Sequence, residues 1–289
     1  MYGKLTLIIR VIIVALIVML SVMVITGCAL EKQKSITAFC GSASKPAMEK
    51  AARIFEEETG IKVILNFSGS GTMLSQMKLS GSGDLYIPGS PDYMDMAEEA
   101  GVVDSKSIKI ISYLVPAILV QQGNPENIRN LSDLTRSGIE IGIGNPETVC
   151  VGLYAYEIFE YNGLLEEIEP NIVTHAESCS KTATLVALKS VDAILCWRVF
   201  SEWHDTIDVV YLEPQQIPRI SYIPGAISSF AEDRESAREF LDFLASSRGQ
   251  EIFNSWGYIA TEEAAREYAP DAEIGGEYEL PEGYRSLIQ

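Results

Sequence analysis

Basic residues are scarce in this sequence. The 289 residues include 22 Lys and Arg against 40 Asp and Glu, which gives a formal net charge of −18 at pH 7. Proteins that bind nucleic acid cluster Lys and Arg to neutralise phosphates, so this composition argues against a nucleic-acid partner. The same negative charge repels small anions at long range. A site for an anion would therefore have to be built from local N–H and hydroxyl donors.

Histidine is nearly absent, and the cysteines lack the spacing of a zinc ribbon. Only His175 and His204 could act as an imidazole base. His175 lies four residues before Cys179, but nothing nearby in the sequence supplies a third group to orient such a pair, so we do not expect a Cys–His nucleophile. No CxxC pair occurs among the five cysteines, which excludes a ready-made zinc ribbon. We expect neither an enzyme nor a catalytic cofactor.

The first segment of the chain has the features of an export signal. Lys4 and Arg10 precede a long Leu/Ile/Val run that ends in Ile-Thr-Gly-Cys at residues 25–28, an order typical of exported proteins. The ending resembles a lipobox, which implies a signal peptide over 1–27 and a lipid on Cys28 that anchors the protein to the outer face of the cytoplasmic membrane. An uncleaved signal anchor is the alternative, because the run is nearly long enough to span a bilayer. Both interpretations place the remaining chain outside that membrane.

Past a polar tether at residues 28–35, strand and helix patterns alternate. A first series covers 36–120, a second covers 121–215, and a helix-rich segment at 216–289 ends in an acidic tail. Such alternation predicts an α/β fold. We expect two lobes, each a mostly parallel sheet flanked by helices, with a ligand cleft between them. The last segment is expected to return to the first lobe.

The patterns of apolar residues predict the bounds of several helices and strands. They are a helix over 45–59, one long strand over 108–120 interrupted by Pro116, a helix over 153–161, a helix over 182–189 and a strand over 193–197.

Three segments rich in small and hydroxyl residues follow predicted strands. They are FCGSAS at 39–44, NFSGSG at 66–71 and GNPETVCVG at 144–152. In α/β folds, ligands bind at the carboxyl ends of strands and against helix N-termini. Each segment either only caps the helix that follows it or, together with the others, holds an anion.

Five motifs follow one another along residues 36–260. The opening stretch FCGSASKPAMEKAARIFEEETGIKVILNFSGSGTM carries two serine-bearing loops, and GSGDLYIPGSPDYMD, GNPETVCVGLYAYE and VDAILCW come after it. In this order they resemble the molybdate- and tungstate-binding proteins of ABC importers. The resemblance implies the two-lobe fold of type II periplasmic binding proteins and a tetrahedral oxyanion, such as molybdate or tungstate, as the solute.

The resemblance also implies which residues contact the anion. The family binds its dianion with uncharged donors, namely two serine hydroxyls, backbone N–H groups and one tyrosine hydroxyl. Transferred by motif, the ligand-binding positions are Ser42 with Ser44 as the alternative, Ser70 with Ser68 as the alternative register, and the backbone at Gly89 or its neighbour and at Val151. No metal is implied beyond the oxyanion itself. Asp84 is expected to orient a loop, because a carboxylate beside a dianion would be repelled.

Two positions depart from the family pattern. Cys150 stands where the family has a proline, and Trp197 stands where it has the ligand tyrosine. An indole N–H donates a hydrogen bond but has no acceptor. Trp197 is therefore either a donor or an apolar wall of the site, and both interpretations remain open.

The cysteines other than Cys28 fall near the predicted site segments. They are Cys40, Cys150, Cys179 and Cys196. Three interpretations are open: two structural disulfides, as is common in exported proteins; buried thiols unrelated to function; or thiols that line a modified pocket. The last would suit a sulfur-containing oxyanion, a thiometalate or a soft metal centre.

The sequence thus predicts a lipid-anchored solute-binding protein that acts as a monomer. Its expected partners are a small oxyanion, the permease of an ABC importer and the membrane, which it contacts through Cys28. A sensory binding protein that reports to a receptor is the alternative, and the sequence does not separate the two.

Overall fold

The computed structural model describes residues 13, 33–281 and 284. The predicted signal peptide (apart from Ile13), the predicted lipid site Cys28 and the first part of the tether lie outside the described residues. The chain divides into two units, Met1–Lys34 and Ser35–Gln289, and the second contains every element below. Within the described ranges, no helix combines the length and the apolar character needed to cross a membrane.

Eleven strands and nine helices make up the described part of this second unit. The strands are β1 (Ser35–Gly41), β2 (Lys62–Ser68), β3 (Leu85–Ile87), β4 (Lys109–Leu114), β5 (Pro116–Gln121), β6 (Ile141–Gly144), β7 (Ile172–Ala176), β8 (Ala193–Trp197), β9 (Ile207–Val210), β10 (Arg219–Ile227) and β11 (Glu273–Ile274). The α-helices are α1 (Lys45–Thr59), α2 (Ser70–Ser80), α3 (Pro91–Glu99), α4 (Cys150–Tyr161), α5 (Leu165–Ile168), α6 (Cys179–Ala187), α7 (Arg234–Ala245), α8 (Ser247–Asn254) and α9 (Glu262–Arg266).

The strands form two separate sheets. The first has the order β11-β10-β3-β1-β2, with β4 also paired to β10, and the second has the order β7-β6-β8-β5-β9. Helices α1 and α7 pack on the first sheet, while α4 and α6 pack on the second. In the core of the first lobe, the rings of Phe55 from α1 and Phe240 from α7 lie 5.0 Å apart. The expected two-lobe α/β architecture is confirmed.

Both sheets are mixed, whereas the sequence predicted mostly parallel ones. Strands β1, β2 and β3 are parallel, as are β6, β7 and β8. Strand β10 runs antiparallel to β3 and β4, and β5 runs antiparallel to β8 and β9. The antiparallel pairs involve the strands next to the crossings between the lobes, where the chain returns without a helical crossover.

The first crossing between the sheets falls at Val115. The sequence predicted one strand over 108–120 in the first lobe, but β4 belongs to the first sheet and β5 to the second. Pro116 has a fixed φ and no N–H to donate, so a continuous ladder is interrupted there. Strand β5 therefore lies in the second lobe, and the predicted first-lobe range 36–120 runs too far. The return crossing lies between β9 and β10.

Two helices begin earlier than the apolar periodicity suggested. Helix α4 starts at Cys150 and not at Leu153, and α6 starts at Cys179 and not at Thr182. Ser178 is the N-cap of α6, since its side chain accepts a hydrogen bond from the Lys181 N–H, and a cap fixes a helix start that periodicity does not reveal. Both cysteines consequently lie at the first position of a helix.

Two strands, β7 and the two-residue β11, were missed from the sequence. Strand β7 has the sequence IVTHA and lies at the edge of the second sheet. Its middle residues are exposed or half-buried, so it lacks the apolar run by which buried strands are recognised.

A buried ion network joins the two lobes behind the site. The Arg219 guanidinium on β10 contacts Asp92 of α3 at 3.1 Å and Glu157 of α4 at 2.7 Å. It also lies over the ring of Tyr154, 4.5 Å from the centroid. Because all three charges are removed from water, the network depends on their mutual pairing. It holds α3, α4 and β10 in one arrangement.

Candidate functional site

The carboxyl ends of three parallel strands from each sheet meet in one place. In the first lobe, β1, β2 and β3 lead into the loops that carry Ser42, Ser70 and Gly89. In the second, β6 leads to Cys150, β7 leads to Cys179 and β8 ends at Trp197. The side chains or backbone groups at these positions are almost completely buried. This is the place where α/β proteins bind ligands.

The loops of the first lobe approach one another closely. Ser70 Oγ accepts a hydrogen bond from the Gly89 N–H at 3.0 Å, and Tyr86 donates its hydroxyl to the Ser70 carbonyl at 2.9 Å. A Cβ at Gly41 would lie 2.6 Å from the Gly89 nitrogen and 2.9 Å from Ser70 Oγ. Position 41 therefore requires glycine, since any side chain would push the loops apart.

Ser42 and Ser44, the two alternatives for the first loop, have different roles. The Ser44 hydroxyl donates to the Gly41 carbonyl at 3.0 Å and so stays within its own loop. Ser42 Oγ accepts from the Ser180 N–H of α6 at 3.0 Å, which is a contact between the lobes. In the second loop, Ser70 begins α2 and is buried, while Ser68, the last residue of β2, is half-buried.

Two thiols occupy the second-lobe side of the site. The Sγ atoms of Cys150 and Cys179 lie 3.3 Å apart. A Cβ placed on Gly89 would lie 2.7 Å from Cys150 Sγ, so the first-lobe loop packs directly against this thiol. The backbone N–H of Val151, the second residue of α4, helps to lower the pKa of Cys179. The thiols and the predicted donors thus share one small buried region.

The surroundings shift the pKa values of the two thiols in opposite directions. Burial raises the pKa of Cys179, but interactions with the Cys150 thiol, the Val151 N–H and the Trp197 indole outweigh it, so its pKa is lowered. Burial, together with Cys179, raises the pKa of Cys150. Cys179 is therefore the thiol of the pair that loses its proton more readily.

Aromatic side chains form the wall behind the sulfurs. The Trp197 indole is fully buried and meets the Tyr154 ring edge-on, with centroids 4.9 Å apart. Trp197 Nε1 makes no well-aligned hydrogen bond, although its N–H is close enough to favour the Cys179 thiolate. The hydroxyl of Tyr93 on α3 is buried without a partner as well. Both groups are therefore free to donate to a bound solute.

Tyr93 and Ser180 were missed by the sequence analysis. Tyr93 lies in the motif GSPDYMD, at the start of α3. Burial and the nearby Cys150 both raise the pKa of Tyr93. The sequence signal for its role was an aromatic residue in the first helical turn after a loop of small residues. Ser180 contributes only a backbone N–H, for which no sequence signal exists.

The four cysteines do not behave alike. All are free buried thiols, so the structure contains neither of the two structural disulfides considered from the sequence. Burial, together with Cys179, raises the pKa of Cys196 on β8. Cys40 lies on β1 in the first lobe, and burial alone raises its pKa. Cys150 and Cys179 are the two thiols whose sulfurs are in contact at the site.

Other ionisable groups lie apart from these donors. Asp84 accepts the N–H groups of Thr37 at 2.7 Å and Glu232 at 3.0 Å, and so ties two loops together. Both ring nitrogens of His175 are buried without a hydrogen-bond partner, so it forms no pair with Cys179. Among the described residues, no three His, Cys, Asp or Glu side chains are arranged to hold a metal ion.

Comparison with known proteins agrees with this geometry. The family model described as bacterial extracellular solute-binding protein matches residues 36–259. The molybdate-binding protein ModA of Escherichia coli is 23% identical over 240 residues, which cover 81% of this chain and 92% of that protein. A Bacillus subtilis protein, YvgL, provisionally named an ABC transporter substrate-binding lipoprotein, is 20% identical over 232 residues, covering 80% of this chain and 88% of YvgL.

A solved structure extends the comparison to the fold. The sulfate-binding protein SubI from Mycobacterium tuberculosis H37Rv superposes with a TM-score of 0.71 at 17% identity, covering 84% of this chain and 94% of SubI. The family consists of binding proteins, which agrees with the expectation that the chain is not an enzyme. Since the family model spans both lobes and the site between them, the chain belongs to the bacterial extracellular solute-binding proteins.

Proposed function

We propose that this protein is the solute receptor of an ABC importer and encloses a small tetrahedral oxyanion, with molybdate and tungstate as the first candidates. One observation carries the proposal: uncharged donors from both lobes meet at a buried place. These donors are the hydroxyls of Ser42 and Ser70, the backbone N–H groups of Gly89 and Val151, and the indole N–H of Trp197.

Uncharged donors suit a dianion that must later be released. An anion that leaves water loses many hydrogen bonds, and each must be replaced inside the site. Each hydrogen bond to a charged group contributes about 1.5–3 kcal/mol, and helix N-termini such as those of α4 and α6 favour negative charge. Five or six such bonds, less the cost of ordering, support nanomolar binding, about −12 kcal/mol. Such bonds break as the lobes open, which lets the solute pass to a permease.

The protonation state of the solute distinguishes the candidates. Molybdate, tungstate and sulfate are fully deprotonated and need donors alone, while monohydrogen phosphate needs an acceptor for its proton. The donor set named above contains no carboxylate, which disfavours phosphate. Sulfate has the same shape and charge as molybdate but is smaller, so the spacing of the donors decides between them.

The proposed partners follow from the family and the N-terminal motif. The name of YvgL, as an ABC transporter substrate-binding lipoprotein, supports a permease partner and a lipid anchor. In this chain the anchor would be Cys28, which would hold a monomeric receptor at the outer face of the cytoplasmic membrane.

A second candidate solute is favoured by the thiols. The sulfurs of Cys150 and Cys179, 3.3 Å apart at the site, would suit a thiometalate, a sulfur-containing oxyanion or a soft metal centre. Tetrathiomolybdate is the probe that separates this candidate from the first, because it presents sulfur where molybdate presents oxygen.

Calorimetric titration of the purified protein tests the proposal. Molybdate, tungstate, sulfate, phosphate and tetrathiomolybdate are compared, and the first two are expected to bind most tightly. Ser42→Ala and Ser70→Ala should each lower the affinity for the preferred anion about 10- to 100-fold, since each removes one charge-assisted hydrogen bond. Ser75→Ala, an exposed position on α2, is the matched control. Failure of all five anions to bind, or unchanged affinity in both site variants, would refute the proposal.

A further inference from the structure

The Cys150 and Cys179 thiols lie at the N-termini of two helices of the second lobe. Helices α4 and α6 have 12 and 9 residues, and each begins with one of these cysteines. The sulfurs are 3.3 Å apart, while a disulfide bond is about 2.05 Å long. The two sulfurs would have to approach by about 1.3 Å for a bond to form. Because both residues belong to one lobe, a bond between them would leave the lobes free to open.

The Cys179 sulfur competes with the proposed solute for donors. The Val151 N–H and the Trp197 indole N–H both favour the Cys179 thiolate, and the indole has no other partner. When Cys179 loses its proton, its thiolate competes with the solute for these N–H groups. It would also repel a dianion at a few ångströms, since like charges in a buried region are poorly screened.

We propose that Cys150 and Cys179 form a reversible disulfide that releases these donors to the solute. In the reduced chain the Cys179 sulfur, 3.3 Å from that of Cys150, competes with the solute for these donors, and in the oxidised chain neither sulfur can carry a charge. The inference rests on the proposed function, because the solute is taken to be an anion. The structure described here corresponds to the reduced form, in which the four cysteines of the described residues are free thiols.

The position of the other cysteines favours this pairing. Cys40 lies on β1 of the first lobe, and Cys196 lies on β8, where its backbone pairs with Ala117 of β5. Among the described residues, Cys150 and Cys179 are the two cysteines whose sulfurs lie within hydrogen-bond distance of each other. Of the pairings that four thiols allow, this one needs the least movement.

A small disulfide compound can supply the oxidising equivalents. The Cys179 thiolate attacks one sulfur of that compound, forms a mixed disulfide and expels a thiolate. The Cys150 thiol gives its proton to the expelled thiolate and attacks the Cys179 sulfur, which expels the second thiolate. Two electrons pass from the cysteine pair to the compound, which leaves as one thiol and one thiolate. Separation of the Gly89 loop from Cys150, as the lobes open, admits the oxidant.

Peptide mapping and titration of the full chain in two redox states test the inference. The protein is equilibrated with oxidised or reduced glutathione, its free thiols are alkylated, and its affinity for molybdate and tungstate is measured. We expect one link, between Cys150 and Cys179, with Cys40 and Cys196 alkylated. The oxidised form should bind at least about 100-fold more tightly, as two charge-assisted hydrogen bonds become available.

Two variants sharpen the comparison. Cys179→Ala removes the competing sulfur, so it should bind equally in both conditions and as tightly as the oxidised wild type. Cys40→Ala should keep both the link and the difference between redox states.

Three results would overturn the inference: no disulfide, a disulfide between other cysteines, or affinity that is equal or greater in the reduced form. If neither form binds any tetrahedral anion, the proposed function fails and the control of binding fails with it. The peptide map still decides the pairing in that case, so the two failures can be told apart.

Discussion

At the scale of single residues, Trp197 is a position where the site departs from the family pattern, which has a tyrosine there. Its indole is fully buried at the end of β8, and its N–H makes no well-aligned hydrogen bond. A buried donor without a partner is costly, so a solute anion that accepts from it would remove that cost. This favours the donor role over the apolar wall, which the sequence left open.

The substitution Trp197→Phe separates these two roles. It keeps an aromatic wall and removes only the donor, so we expect the affinity for the preferred anion to fall about 10- to 100-fold. The measurement is calorimetric titration, with thermal unfolding to verify that the variant folds. Trp256→Phe is the matched control, because Trp256 is half-buried and also has an unpartnered indole N–H. Unchanged affinity in Trp197→Phe would assign the residue to the wall.

At the scale of elements, the C-terminal segment packs near helix α3, where hydrogen bonds hold it and a pair of carboxyl groups opposes it. The Tyr278 N–H donates to Asp92 at 3.3 Å, and Arg219 donates to the Gly275 carbonyl at 3.2 Å. Burial, Glu277, Asp92 and Glu98 together raise the pKa of Asp95 to about 6. The carboxyl groups of Asp95 and Glu277 therefore repel one another at neutral pH and share a proton in acid.

The pH dependence of stability should report this contact. Since the folded chain binds the Asp95 proton more tightly than the unfolded chain does, the contribution of this group is present below about pH 4 and is lost as pH rises to about 6. Asp95→Asn should therefore be more stable than the wild type at pH 8, by on the order of 1 kcal/mol or less for a partly solvated group. At pH 4 the two should be nearly equal.

Thermal unfolding across this pH range provides the measurement. Glu99→Gln, an exposed change at the end of the same helix, serves as the control and should leave the pH profile unaltered. If Asp95→Asn and the wild type show parallel profiles between pH 4 and pH 8, the repulsion between α3 and the tail does not contribute to stability.

At the scale of the whole molecule, glycine permits the two lobes to meet. A Cβ at Gly69 would lie 2.6 Å from the Thr148 carbonyl oxygen and 2.8 Å from that of Glu177, both in the second lobe. Next to it, the Gly71 N–H donates to the Thr148 carbonyl at 3.0 Å. The backbone of Gly69 has φ −61° and ψ 146°, which alanine also adopts. Alanine there would obstruct the contact between the lobes without straining its own chain.

We therefore expect the Gly69→Ala variant to fold normally, while its two lobes close incompletely around the anion. Overpacking against backbone atoms costs about 1–3 kcal/mol, so anion affinity should fall about 10-fold or more. Small-angle scattering should show that the wild type becomes more compact on binding its anion, while the variant does not. A variant that compacts and binds like the wild type would show that closure tolerates the methyl group. Ser75→Ala again serves as the control.

Much of the fold was predictable because its signals are local. The helix over 45–59 and the strand over 193–197 were predicted with the bounds observed. In the helix an apolar period, Pro46 near the start and Gly60 at the end agree, and the strand is a short buried apolar run. The division at Pro116 was not predicted. Whether two adjacent strands share a sheet depends on which distant strands they pair with, and no local pattern records that.

The sequence by itself determined the two-lobe α/β architecture and the three loops at the strand ends. Hydrophobic periodicity, helix caps and small residues act over a few positions, so they can be recognised along the chain. Only the tertiary structure decided which serine reaches across the lobes and which thiols meet. Ser42 and Ser180 are 138 residues apart in sequence, and Cys150 and Cys179 are 29 residues apart. Such contacts follow from the packing of whole sheets and helices, because the direction of each side chain depends on everything that surrounds it.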